Sequence, residues 1–204
     1  TTPEGANLPA SAVEKDFPVL VRLNAGNFDF SQAKPTGDDI RFSTAAGMRL
    51  PYQIEQWDAG ARTASIWVKI PVITGNARQE LKMYWGKQDA VSESRGPAVF
   101  NAANGFVTVM HLNETVVDEI GSVTPTNMGT TVSSGMIGTS RHMEMGKGIH
   151  CGESITTYPY GTNAFTSACW FRADQGGVGI ICWGRYATRY NGNTGDGNLV
   201  DMAF

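Results

Sequence analysis

The sequence predicts an all-β protein that begins with a small antiparallel β-sandwich. Apolar residues recur at every second position in a series of short segments, which is the period of a half-buried strand. Glycine makes up 24 of the 204 residues, more than is usual, and this favours many tight turns. Turn-rich stretches separate the alternating segments at the spacing typical of antiparallel sandwiches and barrels.

Five strands are predicted in the first part of the chain, at residues 17–23, 39–42, 50–55, 64–70 and 81–85. The first has one apolar face, which we expect to be well buried and which consists of Phe17, Val19, Val21 and Leu23. Pro51 favours a strand start or a sheet edge, and Pro71 predicts the end of the fourth strand.

Residues 88–104 are polar and turn-rich, which predicts a linker with at most a short helical turn. Beyond it, a polar loop is predicted at 191–198. Further strands are predicted at 106–112, 141–145, 148–151, 165–172, 179–183 and 199–204.

Charge and hydropathy exclude several classes of partner. The net charge of −3 gives no reason to expect nucleic acid, and no basic run is present. No stretch approaches the ~18 apolar residues needed to span a bilayer, so the chain is not expected to cross a membrane. A hairpin centred on residues 173–177 would set Cys169 opposite Cys182, which leaves a disulfide or buried thiols as alternatives.

The first half resembles a bacterial domain of unknown function that is found in secreted and cell-envelope proteins. The resemblance covers residues 8–95 and implies no catalytic residues. Its five matching segments, in order, are FPVLVRL at 17–23, GDDIRF at 37–42, LPYQIE at 50–55, IWVKIP at 66–71 and MYWG at 83–86.

The second half resembles a concanavalin A-like, laminin-G-like domain over residues 99–204. The resemblance lies in the segments 109–114, 135–143 and 165–172, with Met110 in place of the usual tryptophan. It implies a jelly-roll sandwich that continues beyond residue 204, because the strands predicted here are fewer than the fold needs. Such domains bind glycans, proteins or calcium through variable rim loops.

The acidic residues near the start of the second half do not form a glycosidase pair. The β-glucanases that share the concanavalin A-like fold use a Glu-x-Asp-x-Glu strand, and the cluster Glu114, Asp118 and Glu119 lacks that spacing. We expect solvated loop residues, with Asp118 and Asp196 as the candidate calcium contacts; no other cofactor is expected. His111 lies among alternating apolar residues, which favours a satisfied core or rim histidine over a general base.

Aromatic residues in predicted loops give the main indication of a ligand, because sugar rings stack on aromatic faces while polar groups bind their hydroxyls. Trp67, Trp85 and Trp170 lie on predicted strands and are expected in the core. The candidate ligand-binding residues are Tyr158, Tyr160, Arg185, Tyr186 and Tyr190.

These observations and resemblances predict a non-catalytic binding or accessory module. Its expected location is outside the cell or at the bacterial surface or outer membrane, where a lipid anchor is compatible with the sequence, and its expected ligand is a glycan or a cell-surface protein. One alternative is an accessory subunit of an outer-membrane nutrient-import or adhesion assembly. Another is the accessory part of a glycoside hydrolase or lyase whose active site lies beyond residue 204.

Overall fold

The all-β prediction is confirmed in the computed structural model, which describes residues 9, 11–152, 155–159, 163–174, 179–184 and 199–203. Short 3-10 turns lie at Phe30–Gln32 and Ala102–Asn104. Over the described residues the elements are β1 Val13–Asn24, β2 Arg41–Thr44, β3 Arg49–Leu50, β4 Tyr52–Asp58, β5 Thr63–Thr74, β6 Leu81–Tyr84, α1 Gly96–Val99, β7 Thr126–Met128, β8 Thr131–Ser134, β9 Thr139–His142, β10 Gly148–His150, β11 Gly179–Gly184 and β12 Leu199–Ala203.

Two three-stranded antiparallel sheets enclose the main core. Their strand orders are β1-β5-β4 and β3-β2-β6. Because side chains alternate along a strand, β5 directs Ala64, Ile66 and Val68 to one face, and all three are buried. They pack with Phe42 and Leu50 of the other sheet, so the small sandwich expected from the sequence is formed.

The β1–β2 connection carries aromatic residues into one end of this core. Asp29 caps the 3-10 turn by accepting the backbone N–H of Ser31. The turn buries Phe28 and Phe30, whose ring centroids lie 5.0 Å apart with nearly perpendicular planes. This end of the sandwich is therefore aromatic.

A β-bulge interrupts β4 at Glu55. Ile54 pairs with Ile66 and Gln56 pairs with Ser65, so Glu55 is the additional residue. A bulge redirects the side chains around it and is often found beside a functional site. Glu55 lies on the outer face of the sheet with Gln53, away from the core occupied by Ile54.

The predicted linker is instead packed on the sheet, and we call residues 94–119 the cover segment. It starts at the free edge of β4, where Arg95 N–H donates to the Tyr52 carbonyl at 2.9 Å. Phe100 then lies over the middle strand, with its ring 5.6 Å from that of Trp67 and only 4% of its surface exposed. Farther on, the amide of Asn104 donates to the carbonyl of Asp16 in β1. The segment thus crosses the whole sheet.

The strand predictions for the first half hold except at their ends. Pro71 does not end β5, which continues to Thr74. Pro71 lies opposite Asp16, where the pairing of β1 with β5 is interrupted and Asp16 has a positive φ of 50°. On the other side of β5, the pairing with β4 does not reach Pro71. A proline without an N–H therefore breaks no ladder hydrogen bond. Phe17, expected to be buried, lies beyond the core and is 50% exposed.

In the described part of the second half, strands form as two-stranded ribbons: β7 with β10, β8 with β9, and β11 with β12. The predicted strands at 106–112 and 165–172 are absent, and both segments are irregular. Trp170, expected in the core, is 79% exposed. The alternative of a disulfide between Cys169 and Cys182 remains a prediction, because the side chain of Cys182 lies outside the described residues. The jelly roll and the domain limits 8–95 and 99–204 remain predictions.

No helix in the described part of the chain has both the length and the apolar character that crossing a membrane requires. The one α-helix among them, α1, is a single turn of four residues.

The packing of the cover segment predicts the effect of truncating Phe100. The variant Phe100→Ala should lower the free energy of unfolding by about 3–5 kcal/mol, because it removes a buried ring and leaves a cavity between Trp67 and His111. Chemical denaturation of the full chain measures this. The control Val91→Ala, at an exposed position, should change it by less than about 0.5 kcal/mol. Equal effects of both substitutions would contradict the packed arrangement.

Candidate functional site

Among the described residues, a group of buried polar and ionisable side chains in mutual contact lies between the sheet and the cover segment. We call Gln53, Glu55, Trp67, His111 and Glu119 the junction cluster. The alternation of β4 and β5 places the first three on the outer face of the sheet, and the cover segment brings His111 and Glu119 against them. The side chains of His111 and Glu55 are only 8% and 6% exposed.

Each nitrogen of the His111 ring faces an oxygen. Nδ1 lies 3.2 Å from Glu55 Oε1, and Nε2 lies 3.1 Å from Gln53 Oε1. Glu119 Oε1 is 3.9 Å from Nε2. The other oxygen of Glu55 accepts the indole N–H of Trp67 at 2.5 Å. Both polar ends of the ring are therefore engaged, which confirms the predicted satisfied core histidine.

The close fit around Glu119 explains a glycine at the start of α1. A Cβ added to Gly96 would lie 1.8 Å from Glu119 Oε2. Only a residue without a side chain allows α1 to lie this close to the carboxylate. The junction cluster is thus enclosed by the backbone of the cover segment as well as by its side chains.

Histidine–carboxylate pairs also orient catalytic bases, and the geometry of this pair differs from that use. A general base needs a nitrogen within hydrogen-bond reach of a substrate proton. Here the nitrogen remote from Glu55 faces Gln53, and the ring edge packs on Phe100 at a centroid distance of 5.7 Å. The arrangement supports a role in holding the cover segment on the sheet.

Asp118 organises the loop that follows the junction cluster. One carboxylate oxygen accepts the N–H groups of Val109 and Ile120, and the other accepts the N–H and hydroxyl of Ser122 and the N–H of Val123. Burial acts to raise the pKa of Asp118, but these hydrogen bonds outweigh it and the pKa is lowered from its ordinary value. The residue is buried, not solvated as the sequence suggested.

A shallow pocket between β2 and β3 contains two arginines whose charges are already paired. Arg41 Nε and Arg49 Nη2 lie 3.2 and 2.5 Å from the two oxygens of Glu93. The hydrogen bond from Arg49 lowers the pKa of Glu93, so this carboxylate stays charged. The pocket is lined by these three residues with Phe42, Leu50, Pro51 and Tyr52.

The aromatic end of the sandwich presents a ring to solvent, contrary to the prediction that Trp85 is core. Trp85 is 41% exposed, and its ring packs on Phe28 at a centroid distance of 5.2 Å with the two ring planes 73° apart. Its indole N–H donates to Gln32 Oε1 at 3.1 Å, and Gln32 Nε2 donates to Asp29 Oδ2 at 3.4 Å. We call Phe28, Asp29, Gln32 and Trp85 the Trp85 platform.

The backbone after Trp85 is fixed as well. Gly86 has φ of 92°, a conformation that favours glycine, and its N–H donates to Asp39 Oδ2 at 2.6 Å. Asp39 is buried, and its other oxygen accepts the N–H of Lys34. The exposed indole is therefore held by its contact with Phe28, by its N–H and by the chain that follows it.

Of the residues predicted to bind a ligand or calcium, Tyr158 and Asp118 lie in the described part of the chain. Tyr158 is half-buried and accepts a hydrogen bond from the Thr108 hydroxyl at 3.2 Å, while burial raises its pKa. Among the described residues no group of three or more His, Cys, Asp or Glu could hold a metal ion. Outside them lie Tyr160, Arg185, Tyr186, Tyr190 and Asp196.

The junction cluster predicts a stability role for His111. The variant His111→Ala should lower the free energy of unfolding by about 3 kcal/mol or more, because it removes the buried ring that contacts the Glu55 carboxylate at 3.2 Å and packs on Phe100. The matched control is His142→Ala, which removes an exposed histidine 4.0 Å from Glu144 and should change stability by less than about 0.5 kcal/mol. Denaturant titration at neutral pH compares the two, and a similar small loss in both would disprove the role.

Asp118 predicts a dependence of stability on acid. Because its pKa is lower when folded, its contribution is present above the ordinary aspartate pKa of about 3.9 and is lost as the pH falls through the folded value. Asp118→Asn should cost about 2 kcal/mol at neutral pH, and the gap from wild type should shrink on acidification. The exposed control Asp89→Asn should follow wild type throughout. A gap that stays constant with pH would contradict this assignment.

Comparison with known proteins gives one family match. Residues 36–115 match the model of a family described as a domain of unknown function (DUF2341). No curated protein and no solved structure matches the chain. The matched range extends through the packed part of the cover segment and includes the junction cluster up to His111. The domain of unknown function predicted for the first half is thereby supported over residues 36–115, and the concanavalin A-like domain predicted for the second half is not shown by this match.

Proposed function

We propose that this chain is a non-catalytic binding module that recognises glycan at the bacterial cell surface. The observation that carries the proposal is the exposed and braced indole of Trp85. Apolar faces of sugar rings stack on aromatic rings, and planar polar side chains at the rim bind sugar hydroxyls. Trp85 supplies the ring, while Gln32 and Asp29 supply the rim.

The rigidity of the platform adds to this support. A ring that must be ordered on binding costs affinity, whereas a ring already fixed does not. Trp85 is fixed by Phe28, Gln32 and the Gly86–Asp39 hydrogen bond before any ligand arrives.

The internal use of the main acid and base groups favours recognition over bond cleavage. His111 contacts Glu55 and Gln53 inside the junction cluster, and Asp118 accepts five hydrogen bonds from its own loop. Because their hydrogen-bonding atoms contact other groups of this chain, His111 and Asp118 stabilise the fold.

A second candidate function is docking in an outer-membrane import or adhesion assembly. It is favoured by exposed apolar side chains at the end of the β1–β5 pair, namely Val13, Phe17 and Val72. Co-purification of a stoichiometric envelope protein that is lost in the variant Phe17→Ser would support it. Glycan retention that is unaffected by Phe17→Ser would keep the two functions separate.

The glycan proposal predicts the behaviour of Trp85→Ala. Wild-type chain should be retarded in native gels that contain a polysaccharide it recognises. Trp85→Ala should weaken that retention by about tenfold or more, since losing ring stacking of about 1.4 kcal/mol corresponds to tenfold in affinity. Its melting temperature should change little, because the ring is partly exposed.

Two controls define the site. Trp170→Ala removes another exposed tryptophan and should leave retention unchanged. The double variant Tyr186→Ala, Tyr190→Ala tests the loop tyrosines predicted from the sequence. Loss of retention in the double variant, with normal retention in Trp85→Ala, would place the site in the second half and overturn the assignment to Trp85. A wild-type chain that no polysaccharide retards would overturn the function itself.

A further inference from the structure

The Trp85 platform carries a charged group whose chemistry selects among glycans. We infer that it binds an uncharged sugar through two neighbouring hydroxyls, with Asp29 as the acceptor that determines this specificity. The inference rests on the proposed glycan function and deepens it by naming the class of ligand.

The first argument is the available oxygen of Asp29. Its Oδ1 accepts both the N–H and the hydroxyl of Ser31, at 3.0 and 2.7 Å. Its Oδ2 accepts Gln32 Nε2 at the long distance of 3.4 Å. An ionised carboxylate offers about four acceptor positions, so Oδ2 can accept hydroxyl donors from a ligand.

The second argument is the fixed direction of the carboxylate relative to the ring. The chain of hydrogen bonds runs from the Trp85 indole to Gln32 and from Gln32 to Asp29. Asp29 therefore lies beside Gln32 at the rim of the indole, where its two hydrogen bonds from Ser31 hold it. A pyranose stacked on that ring presents its equatorial hydroxyls sideways, in the direction of the rim, where a carboxylate can accept two of them.

The third argument is charge. Asp29 is exposed, and hydrogen bonds from the Ser31 hydroxyl and N–H lower its pKa, with a smaller contribution from the charge of Arg62. The group is therefore anionic at neutral pH. A sugar that carries a carboxylate or sulfate would bring a like charge to the rim, whereas a neutral diol gains a charge-assisted hydrogen bond.

The test separates the charge of Asp29 from its role as a helix cap. Asparagine caps a helical turn as well as aspartate does, so Asp29→Asn keeps the 3-10 turn while removing the charge and replacing one acceptor oxygen with an amide donor. Retention of the full chain is measured on neutral gels of glucan, mannan and xylan, and on acidic gels of alginate and polygalacturonate. Wild type should bind a neutral gel, and Asp29→Asn should bind it about tenfold more weakly at the same melting temperature.

The control is Asp89→Asn, which removes an exposed carboxylate 3.7 Å from Lys87 and should bind like wild type. Equal retention of wild type and Asp29→Asn on neutral gels would overturn the inference and leave the glycan function standing. Retention of wild type on acidic gels alone would also overturn it. Failure of wild type on every gel would refute the proposed function, and the inference with it.

Discussion

The arrangement of the first half depends on the fact that the β1-β5-β4 sheet is buried on both faces. One face meets the second sheet, and the cover segment crosses the other from the β4 edge to β1. A polar group on a sheet face that is covered in this way costs free energy unless it is paired, because water is not available as a partner. Glu55 and Gln53 therefore require His111 and Trp67, and the junction cluster satisfies that requirement.

The two sites described here differ because of what surrounds them. The junction cluster has more chemically active groups, but they are enclosed and engaged with one another. The Trp85 platform has fewer, yet its ring and carboxylate reach solvent while the backbone beneath them is fixed. Recognition needs surfaces that are both accessible and preorganised. For this reason we propose the platform, and not the cluster, as the ligand-binding site.

Alternation of apolar residues was enough to predict the all-β class and most strands of the sandwich, since period two is imposed by the strand itself. It could not predict that residues 94–119 would pack on the sheet. Their small and polar side chains are typical of a linker, and burial here depends on a few residues such as Val99 and Phe100. Trp85 was misplaced for a related reason, because it follows the last residue of β6, where alternation no longer determines which side faces the core.

The residues of the candidate sites were predicted less well than the strands. His111 was identified as a satisfied histidine, but its partner Glu55 lies far away in sequence and at a bulge that no local pattern indicates. Asp118 was assigned to a solvated loop, since its five donors are mainly backbone groups that carry no sequence signal. Long-range pairing and backbone hydrogen bonding are the two kinds of information that residue types alone do not contain.

The extra residue in β4 also determines which alternate residues of that strand face the core. Up to Ile54 the even-numbered residues point into the core, and after Glu55 the odd-numbered Trp57 does so, in contact with Phe28 and Phe30. Deleting Glu55 would turn Trp57 to the opposite face of the sheet and take its indole out of the core. Phe28, which packs against both Trp57 and Trp85, would then lose one of its contacts. The bulge in β4 thus affects both the buried carboxylate of Glu55 and, through Trp57 and Phe28, the position of Trp85 at the surface.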